Sequence, residues 1–85
     1  MTLEIITPSK ILCSKDNLSQ LKAPGICGDF GVWNNHASFV TMLGDGIVSC
    51  IDENKEEIKI RVKDGFFGVI DNKITILAEE GEILE

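Results

Sequence analysis

The chain has 85 residues, 44% of them hydrophobic and 26% charged, with fourteen acidic against eight basic side chains and a formal net charge of −6. A chain of that length buries only ~60–65% of its unfolded surface, which predicts one domain with a thin core and little room for a deep substrate cleft. The acidic balance argues against nucleic acid, whose binders draw affinity from neutralising phosphates. It also disfavours direct docking on anionic lipid, and no run approaches the ~18 apolar residues of a transmembrane helix.

The predicted elements are short strands cut by turn residues, and no segment keeps helical periodicity. The opening "MTLEIITPSK" lacks a basic, apolar-cored leader pattern, so the expectation is a cytosolic chain or one from an equivalent compartment. "LEIIT" (3–7) is a first strand ended by Pro8, "KILCS" (10–14) a second, and "KDN" a turn. "LSQLKA" (18–23) alternates, "PGICG" (24–28) is a loop, "DFGVW" (29–33) is a short strand and "NNHA" (34–37) a turn. "SFVTML" (38–43) is a strand, "GDG" (44–46) a tight reversal and "IVSCI" (47–51) the next strand.

"EIKIRVK" (57–63) alternates most cleanly, with Ile58, Ile60 and Val62 on one side and Lys59, Arg61 and Lys63 on the other. "DG" then reverses the chain into "FFGVI", and "DN" reverses it again into "KITILA" (73–78). The acidic tail "AEEGEILE" (78–85) is too short to add an element with its own core. Short strands at this spacing predict a single domain over residues 1–85. Its fold class is all-β, a flattened antiparallel β-sandwich or barrel of about ten short strands.

Several strands carry apolar residues on both faces. Phe66 and Phe67 must point opposite ways, and Leu77 lies opposite Ile74 and Ile76. Either the corners of the sandwich bury both faces, or an apolar patch stays exposed and marks a contact site.

The stretch "GDFGVWNNHASF" (28–39) holds the only His. His36 could serve as acid or base, with Cys27 or Ser38 as nucleophile and Asp29 as orienting acid. These residue types are also what turns are made of. No nucleophile elbow, phosphate-cradling glycine loop or metal-protease motif accompanies them, so no catalytic residue is expected. Cys13, Cys27 and Cys50 are odd in number, widely spaced and without a CxxC pair, which points to no disulfide framework. Their spacing with His36 gives no zinc site, and neither metal nor cofactor is expected. Cys13 and Cys50 lie in strand-like runs and read as small buried apolar residues.

At this point the residues resemble a known family. "LEIITPSKILCS" is similar to the opening "l.ivtPe..v" of the epsilon subunit of bacterial and chloroplast F-type ATP synthases, which corresponds to the mitochondrial delta subunit. "LKAPGICGDFGVWNNHASFVTML" resembles its signature "v..Pg..GefGvlpgHapflt.L", "GDGIV" its "l.pG.v", and "VKDGFFGVIDNKITILAE" its "v.gGf.ev..n.vtvLae". Two departures stand out: Asn34-Asn35 replaces the Pro-Gly before His36, and Asp29 stands where Glu is common. The helical hairpin that follows in the family has no counterpart in these 85 residues. Its inhibition of ATP hydrolysis and its ATP binding are therefore not carried over.

The resemblance implies a non-catalytic rotor subunit of the central stalk that links the gamma subunit to the c-ring and couples proton flow to ATP synthesis. Membrane contact would be indirect, through the ring, on the cytoplasmic side of the bacterial inner membrane or the equivalent organelle face. It implies that the corner Asp29–His36 faces the ring, with Phe30, Trp33 and Asn35 as further contact candidates. Val40 and Met42 are expected to meet gamma. The alternative from another class is a stand-alone small β-sandwich binding or regulatory domain.

Overall fold

The structure is a computed structural model that describes residues 1–35 and 38–84. Its strands are β1 (Thr2–Thr7), β2 (Lys10–Lys15), β3 (Leu18–Gly25), β4 (Gly28–Trp33), β5 (Phe39–Leu43), β6 (Gly46–Asp52), β7 (Glu57–Ile70) and β8 (Lys73–Leu84). The all-β expectation holds, with eight strands among the described residues rather than about ten. Two predicted breaks are absent. Asp64-Gly65 lies inside the 14-residue β7, and the acidic tail continues β8 as far as Leu84. One pair departs from the antiparallel pattern, since β1 runs parallel to β8.

Register shows how eight strands make two layers. β5 faces β7 from Phe39↔Val69 to Leu43↔Gly65, and β6 continues along the same edge from Gly46↔Val62 to Ile51↔Glu57. "GDG" therefore turns a corner along β7 instead of reversing the chain. β7 bends at the same level. Its inward residues are Ile60 and Val62 before the bend and Gly65, Phe67 and Val69 after it. The alternation slips by one at Asp64, whose φ is 53°. β8 slips likewise, from Ile74, Ile76 and Ala78 inward to Gly81.

Layer one is β2, β1, the first half of β8, the second half of β7, and β5. Layer two is β4, β3, β6, the first half of β7 and the second half of β8. The Gly25↔Leu43 pair joins β3 to β5 and closes the corner, helped by the Gly44 amide donating to the Pro24 carbonyl at 2.7 Å.

The tail continues β8 along the first half of β7, where layer two supplies complementary charge. Glu82 sits opposite Arg61 and Glu80 opposite Lys63, with ion pairs of 3.8 and 3.9 Å. A side chain at position 81 would collide with Leu12, so Gly81 lets the two layers close. The core between the layers includes Leu3, Ile5, Leu18, Leu21, Val48, Ile60, Phe67 and Ile76. Phe67, with 0% exposure, meets Phe30 edge-on at 5.0 Å and Phe39 at 5.4 Å. Burying such a ring is worth roughly 1.5–3 kcal/mol. The "DN" turn between β7 and β8 forms as expected. Asp71 and Asn72 have φ of 48° and 62°, the left-handed pair that a two-residue hairpin needs.

Candidate interaction surfaces

The outward positions of layer one align across its strands. Met42 faces Phe66, Phe66 faces Leu77, Leu77 faces Ile6 and Ile6 faces Ile11. Each of the five strands thus contributes one apolar residue to a single ridge. Phe66 is 52% exposed and Val40, one row along, 71%. Ile70 is exposed a further step away. The corners of the sandwich do not cover this face. Layer two is different outside, where Lys59, Arg61 and Lys63 of β7 meet Glu57, Glu82 and Glu80. Two hollows flank the ridge. One of ≈ 480 Å³ is lined by Gly68, Ile70, Asp71, Lys73 and Thr75. The other, ≈ 440 Å³, includes Ile6, Pro8, Asp64, Phe66, Leu77 and Glu79 in its lining.

Val40 and Met42 lie on this face, as expected of exposed strand residues. Sequence reasoning did not place Phe66, Leu77, Ile6, Ile11 and Ile70 with them. The signal was partly visible, because Phe66 and Leu77 break the one-sided alternation of their strands. The missing information was cross-strand register, which puts them side by side.

Residues 29–33 belong to a strand, and only Asn34 and Asn35 of the described stretch lie in a turn. β4 is an edge strand paired only with β3. Asp29 sits opposite Pro24 near the β3–β4 turn, and Trp33 sits opposite Gln20 near the other end. Both are exposed and both point outward, some 14 Å apart at about 3.4 Å per residue. Trp33 lies across its own strand, because a Cβ at Gly31 would come within 3.0 Å of its ring. Phe30 points the other way, into the aromatic cluster with Phe39 and Phe67. Its position is that of a packing residue.

Asn34 and Asn35 are tied down at the end of β4. The Met1 amino group donates to Asn34 Oδ1 at 2.9 Å. The Asn35 amide donates to Asn72 Oδ1 at 2.6 Å, and Asn72 Nδ2 donates back to Asn35 Oδ1 at 3.3 Å. Asn35 has φ of 65°, which Asn tolerates better than most residues. It fills the bend that the resembled signature builds with glycine. His36 lies outside the described residues.

Of the residues weighed for a reactive centre, the described ones are spread along β4 and beyond it. Cys27 and Asp29 sit at the β3–β4 end of β4, whereas Ser38 follows its far end. Cys13 and Cys50 are buried and Cys27 is exposed, and no group of potential metal ligands gathers among the described residues. Burial raises the Cys13 thiol above its usual value. Burial, reinforced by Cys13, pushes Cys50 up to about 11. Both are protonated near neutrality and act as small core residues.

What this geometry offers is a two-layer body with an apolar ridge on one face and a mixed face of ion pairs with exposed Ile47 and Trp33 on the other. Residues 1–83 match the family "ATP synthase, Delta/Epsilon chain, beta-sandwich domain". The chain belongs to this family. The chain is 45% identical over 98% of its length to the "ATP synthase epsilon chain" of Pelotomaculum thermopropionicum, covering 60% of that protein. It is 39% identical over 96% of its length to the epsilon chain of Desulfosudis oleivorans, covering 61%. The chain therefore spans about three fifths of the length of these relatives. Its fold also matches a chain in the cryo-EM structure of the Euglena gracilis mitochondrial ATP synthase, with TM-score 0.87 at 20% identity, covering 95% of this chain and 51% of that one. A chain from the Tetrahymena thermophila mitochondrial ATP synthase central stalk and c-ring matches with TM-score 0.79 at 18% identity, covering 96% and 65%.

Proposed function

We propose that this chain is the β-sandwich of an ATP synthase epsilon-type subunit and acts as a non-catalytic part of the rotor. It joins gamma to the c-ring, so that ring rotation driven by proton flow reaches the catalytic head. It sits peripherally on the cytoplasmic face of the membrane, held there through the ring. The observation that carries this reading is the five-strand apolar ridge Met42–Phe66–Leu77–Ile6–Ile11. Such a continuous exposed row is a contact surface in search of a partner, and gamma docks there. The outward side of edge strand β4 lies along the ring loops, with Asp29 meeting basic or amide groups and Trp33 and Asn35 toward the gamma–ring junction beside His36.

The sandwich suits a torque-bearing role because β7 and β8 run unbroken through both layers, so shear on one layer loads the other through the same ladders. The test is affinity capture of the tagged chain from membranes. Wild type is expected to recover gamma and ring subunits, and Met42→Asp with Leu77→Asp to lose gamma while staying folded. Recovery of neither from wild type would leave a stand-alone binding domain as the better reading.

A further inference from the structure

The face that carries the ridge contains one residue that the fold itself does not explain. Gly68 lies mid-strand in β7, on the outward side between Phe66 and Ile70 and opposite Val40 and Thr75. A glycine there weakens a strand, since it gives up side-chain packing and costs backbone entropy. Most other glycines of the chain, Gly44 excepted, have an internal reason. A Cβ at Gly65 would lie 2.9 Å from the Leu77 carbonyl oxygen, at Gly46 2.9 Å from Pro24, and at Gly25 2.5 Å from the Gly28 carbonyl oxygen. Gly28 has φ of 131°. At Gly68 a Cβ would meet only Val40 Cγ2, at 3.8 Å, an ordinary contact, and its φ is not in the left-handed region.

The gap is therefore not needed for folding. It opens the hollow bounded by Ile70, Asp71, Lys73 and Thr75 beside the apolar ridge. A mid-strand glycine that neither backbone conformation nor crowding requires is one mark of close approach by something outside the strand.

We infer that Gly68 is the seat of the gamma contact: an apolar group of gamma packs against the bare β7 backbone between Phe66 and Ile70. The inference rests on the docking of gamma at this face. The charge around the ridge describes the occupant further. Asp64 and Glu79 border one hollow and Asp71 the other, and Glu4 lies opposite Thr75, against Lys73 as the basic residue lining the Gly68 hollow. The matching element of gamma has an apolar centre with basic flanks. The same acidic rim disfavours an anionic lipid surface.

The experiment measures binding of the 85-residue chain to purified cognate gamma by titration calorimetry, together with each variant's melting temperature. Gly68→Val is expected to hold or raise the melting temperature, because a β-branched residue suits a strand, and to weaken gamma binding at least tenfold. Gly68→Ala should fall between. Phe66→Asp serves as the control for the face. If Phe66→Asp weakens binding and Gly68→Val binds like wild type, the seat is elsewhere and this inference is overturned while the docking face stands. If Phe66→Asp also binds like wild type, the docking face itself is wrong. Self-association of the wild-type chain in sedimentation, abolished by Gly68→Val, would make a second copy the occupant and overturn the assignment to gamma. Tight binding of wild type to phosphatidylglycerol vesicles, lost in Gly68→Val, would overturn it in favour of lipid.

Discussion

The backbone amide of Asp64 donates to the carboxylate of Asp45 at 3.1 Å, which ties the bend of β7 to the break between β5 and β6. Both bends occur at the level where β8 also shifts its inward face. One hydrogen bond thus sits at the fold line where a single ladder passes from layer one to layer two. Asp45→Ala removes the acceptor. The bond is charge-assisted but exposed, so the expected loss is about 1 kcal/mol. Asp45→Asn keeps an oxygen in place and should lose less. Urea unfolding should show a lowered midpoint with an unchanged m-value. An unaltered midpoint in Asp45→Ala would mean that the corner holds without this carboxylate.

The same corner shows where sequence reading reached its limit. Asp64-Gly65 and Gly44-Asp45-Gly46 have the chemistry of reversals, and Asp64 does take the positive φ that such a turn uses. Local chemistry cannot separate a turn that reverses a strand from a bend that sends it into another layer. That choice lies in pairing with β8 on one side and β5–β6 on the other, which joins residues far apart in the chain. The tail was misjudged for the same reason, since Glu80 and Glu82 gain their partners only across β7. By contrast, period-two patterning was enough to put Phe66 and Phe67 on opposite faces, and the strand-like runs around Cys13 and Cys50 were enough to bury them. The ridge was half legible. Its members stood out one by one, and their adjacency did not.

Asn72 holds the β4–β5 bend from the opposite hairpin. Its side chain accepts from the Asn35 amide and donates to the Asn35 side chain. Its own φ is 62°, so Asn72→Ala would mix loss of the clamp with backbone strain. Asn72→Gly separates the two, because glycine takes that conformation freely. Asn72→Gly is expected to cost about 1 kcal/mol and to speed hydrogen exchange at the Asn35 amide. Retained protection at Asn35 would show that the bend is held by other contacts.

The buried thiols give the domain an alkaline limit. Cys50 is pushed up to about 11 from a usual 9.0, chiefly by burial and then by Cys13. The folded state therefore keeps its proton more tightly than the unfolded chain. The stability linked to this proton is fully present below about pH 9 and is lost as pH rises toward about 11, at no more than about 1.4 kcal/mol per pH unit. Cys50→Ala should be less stable at pH 7 because it loses core volume, yet show a shallower decline over the same range. Parallel declines in wild type and variant would assign the alkaline loss to other groups. In the native state below pH 9, a thiol reagent should modify Cys27, the exposed cysteine, well before Cys13 or Cys50.

The placement of Asp29 and Trp33 yields a test of how β4 meets the ring. They share the outward side of an edge strand but stand near opposite ends of it, too far apart for direct contact between the two side chains. If β4 lies along the ring, each residue serves its own contact, and losses from Asp29→Ala and Trp33→Ala should add within about 0.5 kcal/mol. The double variant would then weaken ring association by the product of the two single factors. The measurement is a double-mutant cycle on binding to the purified ring with gamma present. A double variant no weaker than the worse single variant would show both residues acting on one contact, which the extended strand does not allow without rearrangement. Trp33→Ala should also free the space over Gly31, where the ring now lies within 3.0 Å of a hypothetical Cβ. A second substitution, Gly31→Ala, should then cost less stability in the Trp33→Ala background than in wild type, and this reports on the Trp33 pose without reference to any partner.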